Sequence, residues 1–149
     1  MKDIAPRPAL NPLAGDTLAP GKTPIRPFEG VKLHLETEKI AVWEEHFPPG
    51  EATQAHRHTR DYICIALTDI DLTVDPVAGE FVEQLTVLIN ADKGCLDGNR
   101  GKFPKGVVFH SHVSRSGAAH VAFNNTDETS KLLIIEIKGT GLDTSSKDC

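Results

Sequence analysis

From Gly30 onward the chain falls into short runs, several of which alternate apolar and polar residues with a period of two. Val31-Lys32-Leu33-His34-Leu35 has the in-and-out pattern of a half-buried strand, because successive strand side chains point to opposite faces. After a Thr37-Glu38-Lys39 turn, Ile40 to Phe47 forms a second such run, stopped by Pro48-Pro49-Gly50. Tyr62 to Thr68 is almost wholly apolar, as expected of a strand buried on both faces. Asp69 to Val74 alternates cleanly, Asp75 to Gly79 turns, and Phe81 to Ile89 returns as a strand. Asn90 to Lys105, rich in Gly, Asp, Asn and Lys, is expected to be mostly loop. Gly106 to Val113 is a strand, and Ser114 to Gly117 turns into the strand that carries His120. Asn124 to Glu128 turns again, and Leu132 to Ile137 closes the sheet. About eight or nine short strands without an amphipathic helix predict an all-β sandwich or barrel.

The start of the chain breaks this rhythm. Pro6, Pro8, Pro12, Pro20, Pro24 and Pro27 all precede Phe28, a density that prevents both a continuous helix and a central strand. Residues 1–29 are therefore expected to be an extended arm, with residues 30–138 the barrel and 139–149 a flexible polar tail. Leu10, Leu13 and Leu18 could anchor the arm across the barrel or a neighbouring subunit; a disordered tail is the alternative.

Composition narrows the function. A chain of 149 residues with 39% hydrophobic content has room for one full core and not comfortably for two. A net charge of -5 argues against broad nucleic-acid binding, which needs a concentrated basic face. Cys64, Cys95 and Cys149 are odd in number and lack C-x-x-C spacing, so a reducing compartment is the simpler reading. Met1-Lys2-Asp3 leads into the proline-rich stretch rather than an apolar run, and no stretch is long and apolar enough to span a bilayer. A soluble, cytoplasmic protein is expected.

The candidate chemistry lies in histidines. His56 and His58 are one residue apart, so an extended segment puts both imidazoles on one face, where they can hold a divalent metal. His120 offers a third imidazole from a distant strand. Gln54 shares the parity of His56 and could point into the barrel with them. Phe109-His110-Ser111-His112 holds a second same-face pair, read as exposed or interface-facing rather than pocket-lining. Trp43 is read as core, and Arg60 as an exposed strand-end residue. Neither a Gly-x-Ser-x-Gly elbow nor a Gly-rich phosphate loop occurs.

These residues resemble a known family, the cupins. Gly50, five residues, then His56-Arg57-His58 match the first half of the first cupin motif without a gap. Gly117, His120 and Asn124 match the second motif at the right spacing, with Arg115 where proline is usual. The resemblance covers roughly residues 30–138 and implies a single cupin double-stranded β-helix, a jelly-roll-like barrel, with a metal inside. It also implies an acidic ligand four residues after His58, but that position is Tyr62. Asp61 is a carboxylate one position early, which alternation aims away from the histidine face unless a turn resets the phase. The expected ligands are therefore His56, His58 and His120 with water completing the shell. Tyr62 is expected to line the substrate pocket with Gln54 and to serve as a catalytic hydrogen-bond donor or weak outer ligand.

Three neutral imidazoles leave the charge of a divalent ion (Fe, Mn, Zn or Ni) without a protein carboxylate to offset it, which favours an anionic chelating substrate. The resemblance then implies a metal-dependent, Fe-type dioxygenase-like enzyme acting on a small polar or anionic molecule. The alternatives are a non-catalytic small-molecule-binding or sensing cupin with a structural or vestigial metal, and a metal-dependent isomerase. The expected partners are a small-molecule ligand and a second copy of the chain in a homodimer, with no nucleic acid and no membrane.

Overall fold

The computed structural model describes residues 30–53, 56–76, 84–88, 95–97, 100–113, 118–141 and 143. The proline-rich arm, Gln54, Arg115, Gly117 and Cys149 lie outside the described residues. The named elements are eleven strands: β1 (Val31–Glu36), β2 (Ile40–Phe47), β3 (His56–His58), β4 (Tyr62–Ala66), β5 (Ile70–Pro76), β6 (Gln84–Leu88), β7 (Cys95–Asp97), β8 (Arg100–Phe103), β9 (Val108–Val113), β10 (Ala118–Asn124) and β11 (Ser130–Ile137). They form two antiparallel sheets, one of order β1-β2-β11-β4-β9-β6 and one of order β3-β10-β5-β8-β7. The all-β architecture expected from the alternation is the one observed.

Alternation decides what faces inward. On β4 the buried positions are Tyr62, Cys64 and Ala66, and the cross-strand register sets them beside Glu136, Ile134 and Leu132 of β11. On the other side of β4 lie Ser111 and Phe109 of β9, opposite Tyr62 and Cys64. The second sheet contributes Ile70, Leu72 and Ala122 to the same core, with Phe103 stacked on Phe109 at 5.0 Å between ring centroids. Cys64 is buried in this core, where it packs as a small hydrophobe.

The sequence reading of 90–105 as mostly loop needs correcting: β7 and β8 lie within it. The inward positions of β8 are Gly101 and Phe103, which pair with Leu72 and Ile70. With a glycine at one of two inward positions, the apolar alternation that marks a strand is reduced to a single residue. Pairing with β5 supplies what the local pattern lacks, and an ion pair reinforces it. Arg100 donates from Nε and Nη2 to the two carboxylate oxygens of Asp71 at 2.8 and 2.7 Å, and Asn125 Nδ2 adds a bond at 3.1 Å.

The Arg100 hydrogen bond, helped by Asn125 and opposed by burial, holds the Asp71 carboxyl below its ordinary value. A depressed carboxyl contributes stability above its unfolded value, and that contribution is lost as pH falls through the folded one. Asp71→Asn should therefore lower the urea-unfolding free energy by about 1 kcal/mol at pH 7, the scale of a bidentate pair with a part-exposed partner. The gap from wild type should close below about pH 4. A gap that is unchanged at low pH would show that the pair does not carry the effect.

Candidate metal centre

The two histidine motifs meet because the chain after β2 runs alongside β10. Gly50 takes a φ of +67° after Pro48-Pro49, a turn conformation that glycine adopts without strain. Its N–H donates to the Asn124 carbonyl at 3.1 Å, and Thr53 N–H donates to the Ala122 carbonyl at 2.7 Å. Ala52 bridges to Phe123, and β3 then pairs His56 with His120 and His58 with Ala118. Between the Ala52 and His56 pairings the first strand advances four residues and β10 three.

His56, His58 and His120 are each at most 5% exposed. One nitrogen from each ring lies within 4.8 Å of the other two. His58 Nε2 and His120 Nε2 stand 2.9 Å apart, and the three ring centroids are separated by 4.5 to 5.0 Å. Two ligands at right angles on one ion, with bonds of about 2.0–2.1 Å, have a similar spacing. Among the described residues this is the one grouping of three or more His, Cys, Asp or Glu side chains at such distances.

Tyr62 lies against this cluster. Its ring stacks on His58 at a centroid distance of 4.6 Å and an interplanar angle of 23°, so the residue at the acidic position of the motif adjoins the histidines. Asp61 turns the other way, as alternation requires. Its Oδ1 accepts the Val113 N–H at 2.8 Å, and its Oδ2 lies 3.1 Å from His112 Nδ1. It ties β9 to the turn before β4 and is not part of the histidine cluster.

The remaining candidates fall away from the centre. His110 and His112 occupy the outward positions of β9, whose inward row is Phe109, Ser111 and Val113. His34 and His46 flank Glu44 on the surface; Glu44 and His34 are 3.0 Å apart, and His46 closes on the other carboxylate oxygen. Asn124 orders the turn after β10: its Nδ2 donates to the carbonyls of Phe47 and Glu128, both at 2.8 Å. Its Oδ1 accepts from Thr126 N and Oγ1 at 2.9 and 2.8 Å.

Two inward carboxylates, Glu45 and Glu136, go unnoticed in the sequence. Glu136 is buried beside Tyr62 on the inner face and accepts a hydrogen bond from Trp43 Nε1. The signal for it is parity: Leu132, Ile134 and Glu136 fall on one face of an otherwise apolar strand. Trp43→Phe keeps the ring but removes the donor from a buried acceptor, so a loss of about 2 kcal/mol in urea-unfolding free energy is expected. A change below about 0.5 kcal/mol would mean the indole N–H does not matter there.

No protein-family model matches the chain, and no curated protein matches it. By structure it is similar to a cupin domain protein from Bordetella pertussis Tohama I, at 24% identity and a TM-score of 0.52 over 73% of this chain and 92% of that one. The fold is that of a cupin. A Cupin 2 conserved barrel domain protein from Salinispora arenicola CNS-205 is a more distant likeness, at 18% identity and a TM-score of 0.45 over 78% of this chain and 82% of that one.

On this cupin barrel the donor set suits a borderline divalent ion. Imidazole nitrogens serve Zn, Cu, Fe and Ni, whereas Mg and Ca prefer oxygen ligands. Three strand-borne nitrogens, with no carboxylate among them, fit such an ion and leave its remaining positions to water or a ligand. Among the described residues no helix is long and apolar enough to cross a membrane.

Proposed function

We propose that this cupin holds one divalent ion on His56, His58 and His120 and acts as an Fe-dependent, dioxygenase-like enzyme on a small polar or anionic molecule. The observation that carries the proposal is the convergence of three buried imidazoles from two distant strands, with nitrogens within 4.8 Å of one another. Iron bound there would supply redox chemistry with dioxygen, whereas zinc or manganese would supply Lewis-acid chemistry.

The chain's own residues supply the rest. Neutral imidazoles leave the ion's charge uncompensated, which draws an anionic ligand inward. The three imidazoles are buried, and burial away from bulk water strengthens that attraction. Tyr62, whose ring stacks on His58, is the residue this reading assigns to the wall of the ligand site, with its phenol as the hydrogen-bonding group.

The test is to load the protein anaerobically with Fe(II) and follow oxygen uptake with small acids, thiols and diketones. Uptake that needs iron and disappears in His56→Ala is the expected result. If no candidate drives uptake while such ligands still raise the melting temperature, the chain is a binding or sensing cupin instead.

A further inference from the structure

The ligand strand β3 shares only a short register with its own sheet. It is three residues long and, among the described residues, lies at the edge of the five-stranded sheet beside β10. Immediately after His58 the chain leaves that sheet, crosses at Thr59–Asp61 and enters the other sheet as β4. Any slack in the crossing is slack in His58 and in the Tyr62 ring stacked on it.

That crossing is gripped from outside by the last residue of β11 and the residues after it. The Asp61 N–H donates to Thr140 Oγ1 at 2.9 Å, and the Asp61 carbonyl accepts the Ile137 N–H at 2.8 Å. Arg60 Nε donates to Asp143 Oδ2 at 2.8 Å, and the same oxygen accepts the Gly139 N–H at 2.9 Å. Gly141 closes over the turn so tightly that a Cβ there would lie 2.4 Å from the Thr59 carbonyl oxygen, and its φ of +57° also favours glycine. Residues 139–141 and 143, placed by the sequence reading in a flexible tail, thus touch each of the three crossing residues.

We propose that residues 137–141, together with Asp143, are a strap that positions His58 for metal binding, with Thr140, Gly141 and Asp143 as positioning residues. The inference rests on the three-histidine reading above. A metal site needs its ligands held within a few tenths of an ångström, and a three-residue edge strand does not provide that by itself. Linkage makes the coupling reciprocal: if the strap favours the ion, the ion must tighten the strap.

The experiment measures Zn(II) affinity of the full chain by competition with a chromophoric chelator, together with amide hydrogen exchange with and without zinc. Asp143→Ala and Thr140→Val should each weaken zinc about tenfold and Gly141→Ala more. Asp143→Asn, which keeps an acceptor for Arg60 and Gly139, should retain most of the affinity. Asp71→Asn, which perturbs the fold far from the crossing, should stay within about twofold of wild type. In wild type, zinc should slow exchange at the Asp61 and Ile137 amides, and in His120→Ala it should not. Zinc affinity unchanged in all the strap variants, or lowered as much by Asp71→Asn, would overturn the strap. Wild-type protein that binds no zinc would instead remove the site on which the strap is proposed to act. If Gly141→Ala fails to fold, the Asp143 pair decides the matter.

Discussion

Replacing His120 by alanine is expected to weaken divalent-metal binding by at least about 100-fold. Loss of outer groups around a metal commonly weakens affinity 10- to 100-fold, and loss of a ligand should do more. His56 and His58 would remain, but both belong to the short edge strand β3, and His58 Nε2 would lose the nitrogen now 2.9 Å away. Without His120, the site has no donor from the central strand β10 to fix the position of the ion. His110→Ala is the matched control, because that imidazole lies on the outward row of β9. Competition titration with Zn(II) should show wild-type affinity in His110→Ala and near-complete loss in His120→Ala. The reverse order would place the metal on the wrong face of the barrel.

The largest loss of stability is expected at Asn124. Its side chain is fully buried, and its amide makes two donor and two acceptor bonds that join β2, β10 and the Thr126–Glu128 turn. Alanine leaves the buried carbonyl of Phe47 without this donor, and unsatisfied buried groups are charged about 1–3 kcal/mol each. Asn124→Ala should therefore lower the unfolding free energy by about 3 kcal/mol, a fall of roughly 10 °C in Tm. Asn124→Asp should be as damaging, since a carboxylate turns an acceptor toward two carbonyls that need a donor. Thermal and urea unfolding test this, and a loss below about 1 kcal/mol for either variant would show that the turn does not depend on the amide.

How far the sequence reveals this molecule depends on whether the signal is local. Strand alternation is local, so β2, β4, β9 and β11 can be read directly, and so can the outward turn of Asp61; β1 is a strand where the alternation puts it, but Leu33 and Leu35 are exposed rather than half-buried. The spacing of Gly50, His56, His58, Gly117, His120 and Asn124 carries the barrel and the three histidines together, because pairing with β10 turns separation along the chain into adjacency. β8 is hidden because Gly101 stands where an apolar side chain would mark the strand, and only pairing with β5 reveals it. Glu136 is hidden because one carboxylate in an apolar strand reads as an outward residue until the register sets it beside Tyr62. The Thr140, Gly141 and Asp143 contacts are hidden because they are polar residues near the end of the chain, and their partners at Thr59–Asp61 lie about eighty positions earlier.

The most direct measurement of the three-histidine centre is anomalous diffraction at the zinc edge, from crystals of the full chain grown with zinc. The expected result is a single strong peak bonded by one nitrogen each of His56, His58 and His120, at about 2.0–2.1 Å. A peak held by other residues, or no peak at saturating zinc, would contradict it.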